Sequence, residues 1–290
     1  MKAIFLYNHN DYKVLRKLKY INKEFSSYFE LYKNMCINSL EELDKVIKEE
    51  VKEYDLLIFS GGDGTFNNVI NNVIKYNIDI KIGYLPTGTA NDIAHNLKIS
   101  RHIKQAIKII KNNHIVNQKV FLFNKRYFVY VNGIGKFTSV SYKSKIAQKR
   151  IFGTFAYVFK GMKELFKRVR IKGSIKIDEK EIEVNSPLIL VLNSKYIGGK
   201  KVNKYGFRND TTLDLIVVKK GMWPLMNIVF MVIFGKGKKE NKFYFNSYQG
   251  KKFEFNLNDN RWCIDGESEM SDKVEIISSD KYINIYTSGE

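Results

Sequence analysis

The apolar run DLLIFS, residues 55–60, stops at Gly61, Gly62, Asp63, Gly64 and Thr65, and the chain resumes as FNNVINNVIK. A short continuous apolar run reads as a strand buried on both faces, and the stretch after the glycines has helical spacing. Parallel neighbours need a crossover connection, so a strand feeding a helix through glycine is a unit of a parallel sheet. The first 120 residues repeat this alternation. KAIFLY (2–7) predicts a strand, and DYKVLRKLKYINKEF (11–25) a helix with Val14, Leu15, Leu18, Ile21 and Phe25 on one side. YFELYK (28–33) predicts a second strand. Ser39 opens a helix, with Glu42 placed to complete a capping box and Leu40, Leu43, Val46, Ile47 and Val51 on its apolar side. The helix after the glycines is expected from about Phe66 to Lys75. KIGYLP (81–86) is a further strand, and NDIAHNL and SRHIKQAIKIIKN are helical. Residues 1–120 are therefore expected to form an open parallel α/β sheet with helices on both faces.

After residue 120 the rhythm changes. KVFLFNKRYFVYVN predicts two strands around an Asn-Lys-Arg turn, and GSIKIDEKEIEV alternates with a period of two as a hairpin does. SPLILVLN, LDLIVV, KKFEFNLN, RWCIDG and YINIYT are further strands. One helix, 153–168, interrupts them with Phe155, Val158, Phe159, Met162, Leu165 and Phe166 along one side. Residues 121–290 are expected to form a mainly antiparallel β-sandwich domain. No glycine- or proline-rich linker separates the two parts.

Composition narrows the class. With 44% hydrophobic and 14% aromatic residues in 290, the chain can fill sizeable cores, which excludes a disordered protein. Cys36 and Cys263 lie far apart with no metal-ligand spacing, so the sequence carries no disulfide framework and suits a reducing compartment. The longest apolar run, 222–235, contains Pro224 and Asn227 and falls short of the roughly 20 apolar residues that a bilayer span needs. These features predict a cytoplasmic protein. The net charge of +19 invites a polyanion, nucleic acid or an anionic membrane face, but lysine spread over every solvated surface would give the same total.

Glycines at the carboxyl end of a parallel strand leave room for backbone N–H groups to approach phosphate oxygens, and the next helix points its positive end there. Asp63 would repel bare phosphates, but suits them with Mg²⁺ between, since that cation takes one or two carboxylates plus phosphate oxygens. A tight strand-to-helix turn would use the same residues. LPTGTANDIAHNL, 85–97, follows about twenty-five residues later and again leaves a strand through a turn of glycine and hydroxyl residues. There Gly88 opens backbone space, and Thr89, Asn91 and Asp92 offer side-chain hydrogen bonds. Neither a P-loop nor a G-x-G-x-x-G fingerprint is present.

GGDGTFNNVI and PTGTANDIAHNL together resemble the diacylglycerol kinase catalytic domain family, and specifically its soluble bacterial lipid kinases. The likeness continues through VNGIGKFTSV with FGTFAYVFKGMKEL, NSKYIGGKKVNKYGFRNDTTLDLIVV and CIDGESE, in the family's order. It implies an ATP-dependent, Mg²⁺-assisted kinase that phosphorylates the hydroxyl of diacylglycerol or a related lipid. Gly61, Gly62, Asp63, Gly64, Thr65, Asn67, Asn68, Gly88, Thr89, Asn91 and Asp92 would hold the nucleotide, with Asp63 toward Mg²⁺. Cys36 or Ser39 would approach it from the neighbouring loop. Glu267 would be the general base, supported by Asp265. Phe207, Asp210 and Thr212 would bind a structural Mg²⁺. The sequence departs from the family's pattern in having NHNDYK where Asn-Pro-x-x-Gly is usual, Asn68 for Glu, and Thr211 for Gly after Asp210.

The expected partners are the nucleotide and a lipid at the inner face of an anionic membrane, touched peripherally. The basic stretches KSKIAQKR and GKGKKENK and the lysines of 153–168 would dock it, each cation contributing roughly 1 kcal/mol. No nucleic-acid module is recognisable, and a homodimer is left open. Two rival readings remain at this stage: a soluble NAD kinase-like enzyme, and a catalytically silent protein that binds a membrane surface.

Overall fold

The computed structural model describes residues 1–135, 170–193, 196–197, 200–201, 211–227, 243–265 and 267–289, with backbone alone for Tyr196, Ile197, Lys200, Lys201 and Glu267. The expected helix at 153–168, the basic stretches at 143–150 and 235–242, and Phe207 and Asp210 lie outside the described residues. The chain divides into two compact units: Met1–Val120 with Asp280–Glu290, and Phe121–Ser279.

In the first unit, strands β1 (Lys2–Asn8), β2 (Leu31–Ile37), β3 (Leu56–Gly61) and β4 (Lys81–Pro86) alternate with helices. The helices are α1 (Tyr12–Leu15), α2 (Leu18–Ser26), α3 (Leu40–Glu49), α4 (Asp63–Lys75), α5 (Asp92–Asn96) and α6 (Ile103–Lys111). The strand order is β2-β1-β3-β4, all parallel. The order reverses between β1 and β3, and the crevice beyond such a reversal is where open α/β sheets bind ligands. β1, β3 and β4 are buried on both faces, whereas the edge strand β2 is largely exposed. Leu56 and Ile58 of β3 join a core with Phe5, Ile21, Phe25, Ile107 and Ile110. On the other face Phe59 lies against Phe66 of α4, ring centroids 5.7 Å apart, and Phe66 meets Tyr84 of β4 at 5.1 Å. Asp44 of α3 accepts from Lys75 Nζ at 2.8 Å and from the Tyr76 hydroxyl at 2.7 Å, which fastens the far end of α4.

Several boundaries differ from expectation. The helix at 11–25 is broken: Asp11 caps α1, and Lys17 leaves helical geometry to become the N-cap of α2. The second strand starts at Leu31 because Phe29 still closes the end of α2, its N–H donating to Phe25 O at 2.9 Å. Ser39 does cap α3, but Glu42 reaches back to the N–H of Asn38 instead of Ser39. Leu40 is 62% exposed, and Val51 falls in a separate 3-10 turn. Helix α4 begins at Asp63, three residues before Phe66, with Gly62 as N-cap. The glycine stretch is thus the first turn of the helix, where an aspartate is favoured by the helix dipole.

The second unit is antiparallel. Strands β5 (Ile115–Phe123), β6 (Arg126–Phe128), β7 (Val131–Gly135), β8 (Ile171–Ile177), β9 (Lys180–Ser186) and β10 (Leu188–Leu192) come first. The short β11 (Tyr196–Ile197) and β12 (Lys200–Lys201) follow, then β13 (Leu213–Val218), β14 (Phe245–Gly250), β15 (Lys252–Leu257), β16 (Arg261–Ile264), β17 (Glu267–Met270) and β18 (Lys273–Tyr286). One sheet runs β14-β13-β10-β7-β16-β17, and another runs β18-β15-β8-β9 with β5 and β6 beside β18. Their facing sides share one core in which Phe121, Phe123, Ile175, Phe253 and Phe255 meet Ile134, Val191, Leu215, Trp262 and Ile264, so this unit is a sandwich. The final strand differs from an assignment of everything after residue 120 to the β-rich part. Its end pairs in parallel with β4 at Asn284↔Lys81 and Ile285↔Ile82, which returns Asp280–Glu290 to the first unit.

Phe66 is fully buried between Phe59 and Tyr84. Phe66→Ala is expected to lower stability by about 3–5 kcal/mol, the usual cost of emptying an aromatic core site, measured by urea unfolding.

Candidate functional site

β3 and β4 run in register from Leu56↔Lys81 to Gly61↔Pro86, so both strands end at the same level. Their exits are bonded together. The N–H groups of Thr87 and Gly88 both donate to Gly61 O, at 2.8 and 3.1 Å. The packing is as close as backbone permits. A Cβ on Gly88 would stand 2.5 Å from Gly62 Cα, and one on Gly61 would stand 2.4 Å from Thr65 Cβ. The glycines first serve to bring the two turns together. Beyond them, the first-turn amides of α4 have no carbonyl within the helix to bond, so they point outward at its positive end.

Asp63 spans the two turns. Its Oδ1 accepts from the N–H of Ile93 at 3.0 Å, capping the first turn of α5. Asn91 is the N-cap of α5 in left-handed conformation, φ 52°. Its Nδ2 donates to Gly88 O at 3.0 Å, while its buried Oδ1 has no hydrogen-bond partner. Ser60 Oγ, at the end of β3, is likewise buried and unpartnered. Asp92 is buried in the first turn of α5, and Thr89 is exposed. Gly61, Gly62, Gly64, Thr65 and Asn68 are half-buried. Asn67 is buried one turn into α4, its Oδ1 accepting from Asn71 Nδ2 at 3.0 Å. Cys36 is half-buried, its thiol pushed up by burial and by the Glu42 carboxylate. The Ser39 hydroxyl is engaged as a helix cap.

Four residues of this site were not expected from the sequence. Asp11 accepts a hydrogen bond from the Thr87 hydroxyl, and Lys13 Nζ donates to Thr87 O at 2.7 Å and Gly88 O at 3.2 Å. The NHNDYK segment after β1 therefore clamps the second turn. Arg101 holds the same turn from the other end, donating to Thr89 O at 2.7 Å. Tyr84 lies beneath, its hydroxyl donating to Gly61 O at 3.1 Å. Burial pushes the Tyr84 phenol far up, the carboxylates of Asp63 and Asp11 push it further, and Arg101 opposes them. The carboxylates of Asp63 and Asp11 are thus gathered around the same turns as the cations of Lys13 and Arg101. Among the described residues no group of three or more His, Cys, Asp or Glu side chains is placed to hold a metal. One or two carboxylates completed by phosphate oxygens would still satisfy Mg²⁺.

In the second unit Asp265 follows β16 in left-handed conformation, φ 46°, at a tight hairpin whose partner strand β17 starts at Glu267. Its carboxylate is buried and accepts from the N–H groups of Val129, Tyr130 and Val131 at 3.3, 3.2 and 2.9 Å. Asp265 therefore fixes the hairpin against the entry to β7. On β7, Asn132 is fully buried with both side-chain polar atoms unpartnered, and Asn193 beyond β10 has an unpartnered Nδ2. Thr212 is half-buried.

The profile of the diacylglycerol kinase catalytic domain matches residues 2–122. A diacylglycerol kinase of Staphylococcus epidermidis is 30% identical over 237 residues, covering 81% of this chain and 75% of the relative. The chain belongs to the diacylglycerol kinase catalytic domain family. Within that family, a diacylglycerol kinase of Staphylococcus carnosus is 29% identical over 242 residues, 81% of this chain and 78% of the other. A solved diacylglycerol kinase structure from Bacillus anthracis shares the fold, with a TM-score of 0.81 over 99% of this chain and 96% of its own at 22% identity. Membership makes this family chain a phosphotransferase with an alcohol acceptor. No helix among the described residues is long and apolar enough to cross a membrane.

Gly88→Ala forces a methyl into the backbone of Gly62. It is expected to lower phosphoryl-transfer turnover at least tenfold, roughly 1.4 kcal/mol in the barrier, while the thermal transition of the second unit persists. Kinase assays beside differential scanning calorimetry check this.

Proposed function

We propose that this chain transfers the γ-phosphoryl group of ATP to the hydroxyl of diacylglycerol or a related lipid. The observation that carries the reading is the pair of glycine turns, joined at the Gly61 carbonyl and both leaving the carboxyl ends of parallel strands. Relatives bearing the name diacylglycerol kinase support the acceptor class.

Phosphoryl transfer asks for positioning and charge neutralisation more than for covalent chemistry. In this reading the amides of Gly62, Asp63, Gly64 and Thr65 receive phosphate oxygens at the head of α4. Gly88, Thr89, Asn91 and Asp92 line the second turn, and the unpartnered Asn91 Oδ1 is available to a ligand donor. Asn67 and Asn68 hold the next turn of α4. When bound, Mg²⁺ neutralises the developing phosphate charge, with Asp63 the residue that would hold it. Glu267 takes the proton of the attacking hydroxyl as general base. Asp265 acts on it as a positioning residue, by pinning the hairpin that ends at Glu267. Thr212, with Asp210 and Phe207, would hold the second, structural Mg²⁺. The acceptor is met at an anionic membrane surface.

A thin-layer assay with labelled ATP, comparing diacylglycerol vesicles with NAD, tests the reading. A labelled lipid product is expected. Label on NAD would instead make it an NAD kinase-like enzyme, and no product at any magnesium level would leave only a binding protein. Glu267→Gln is expected to reduce lipid turnover about 10²–10⁴-fold with nucleotide affinity retained, as loss of a general base does.

A further inference from the structure

The two tryptophans of this chain have opposite fates. Trp262 is buried in the sandwich core, 5.4 Å from Phe123 and 4.9 Å from Phe255 between ring centroids. Trp223 is 71% exposed. It does not stand alone. Lys219, Lys220, Gly221, Met222 and Trp223 are consecutive exposed residues after β13, with Met222 at 43%. β13 and β14 pair as far as Val218↔Phe245, and Lys219 N–H extends the ladder by donating to Tyr244 O at 2.9 Å. Phe243, 71% exposed and edge-on to Tyr244, therefore emerges at the same end of the sheet as Trp223. The position of Trp223 is built. The helical turn over 222–227 is docked by Leu225, 3% exposed, into a cluster with Leu188, Leu192, Ile216, Val218 and Phe245. With Leu225 and Pro224 turned inward, the residues just before them are presented outward.

Large apolar side chains exposed singly need no explanation, but a cluster edged with cations does. Trp beside Lys is the arrangement favoured at the boundary between lipid headgroups and acyl chains, where the indole is half solvated and lysine reaches phosphate. The sequence has no Asp or Glu from Leu215 to Lys239, so nothing acidic in that stretch opposes an anionic surface. A second copy of the chain is the poorer occupant, since each copy carries +19. We infer that the sheet end formed by Lys219, Lys220, Met222, Trp223 and Phe243 docks the protein on an anionic phospholipid bilayer, with Trp223 inserted at the interface. The inference rests on the reading of the acceptor as a membrane lipid, but its test needs neither nucleotide nor turnover.

Because Trp262 is sequestered, a lipid-induced change in tryptophan emission reports Trp223. Purified protein is titrated with vesicles of phosphatidylcholine alone and of equal parts phosphatidylcholine and phosphatidylglycerol. The expected result is a blue shift with the anionic vesicles, quenched by lipids brominated on the acyl chain and absent from Trp223→Phe. The double variant Lys219→Glu with Lys220→Glu keeps both tryptophans and is expected to bind at least tenfold more weakly, as loss of two surface cations predicts. Unfolding followed by Trp262 emission shows that both variants remain folded. Emission that stays unchanged on anionic vesicles overturns the docking proposal. So does a blue shift that rises with protein concentration in the absence of lipid, with dimers in sedimentation. Activity on diacylglycerol in detergent micelles is read in parallel. Its survival with no Trp223 signal rejects the docking surface alone, and its absence rejects the kinase reading.

Discussion

Three donors converge on the carbonyl oxygen of Gly61: the N–H groups of Thr87 and Gly88 and the hydroxyl of Tyr84. This one acceptor joins the ends of two parallel strands, and everything proposed for the site follows from the closeness it imposes. A half-buried carbonyl takes its partners here from the neighbouring strand and its exit. The second turn is drawn against the first until only glycine fits at Gly88. Asp63 can then reach the start of α5, and the amino ends of two helices come to lie side by side.

Around that junction the polar side chains hold the protein's own backbone. Lys13 and Arg101 both spend charged donors on carbonyls of the second turn, and Asp11 takes the hydroxyl of Thr87. Charge-assisted bonds to main chain are stronger than neutral ones and leave the loop few alternative conformations. Such rigidity would suit the phosphoryl-transfer role proposed for these turns, where a misplacement of about an ångström can be costly. The same logic holds in the second unit, where Asp265 gathers three successive amides and so sets the direction in which the next strand starts.

Much of this was legible in the sequence because the signals are local. The strands at 56–61 and 81–86 announce themselves as unbroken apolar runs, and the turns after them by glycine and threonine. The start of α4 was misjudged by three residues because glycine and aspartate look like loop when read one at a time, yet suit a first helical turn. Asp11, Lys13 and Arg101 were invisible for a different reason. Each meets its partner across 12 to 76 positions of chain, and no spacing rule links a lysine after the first strand to a carbonyl after the fourth. The NHNDYK segment differed from the family's usual glycine element and so read as a gap, whereas its side chains brace the turn from outside. In the sequence Asp265 stood as part of an acidic motif beside Glu267. The backbone shows that the hairpin geometry and the buried carboxylate belong to one arrangement.

The return of the last strand to the first unit has a consequence for how the molecule is made. Tyr286 seals the core beside Phe5 and Phe25, its hydroxyl bonded to Asn113 Oδ1, and Thr287 exchanges bonds with His114. On the ribosome, β4 must wait with an open, pairing-competent edge while the whole sandwich sequence is translated. Such edges recruit foreign strands when left uncovered. The unit whose strands are synthesised first is thus completed only when its last strand, which follows the sandwich sequence, has been made.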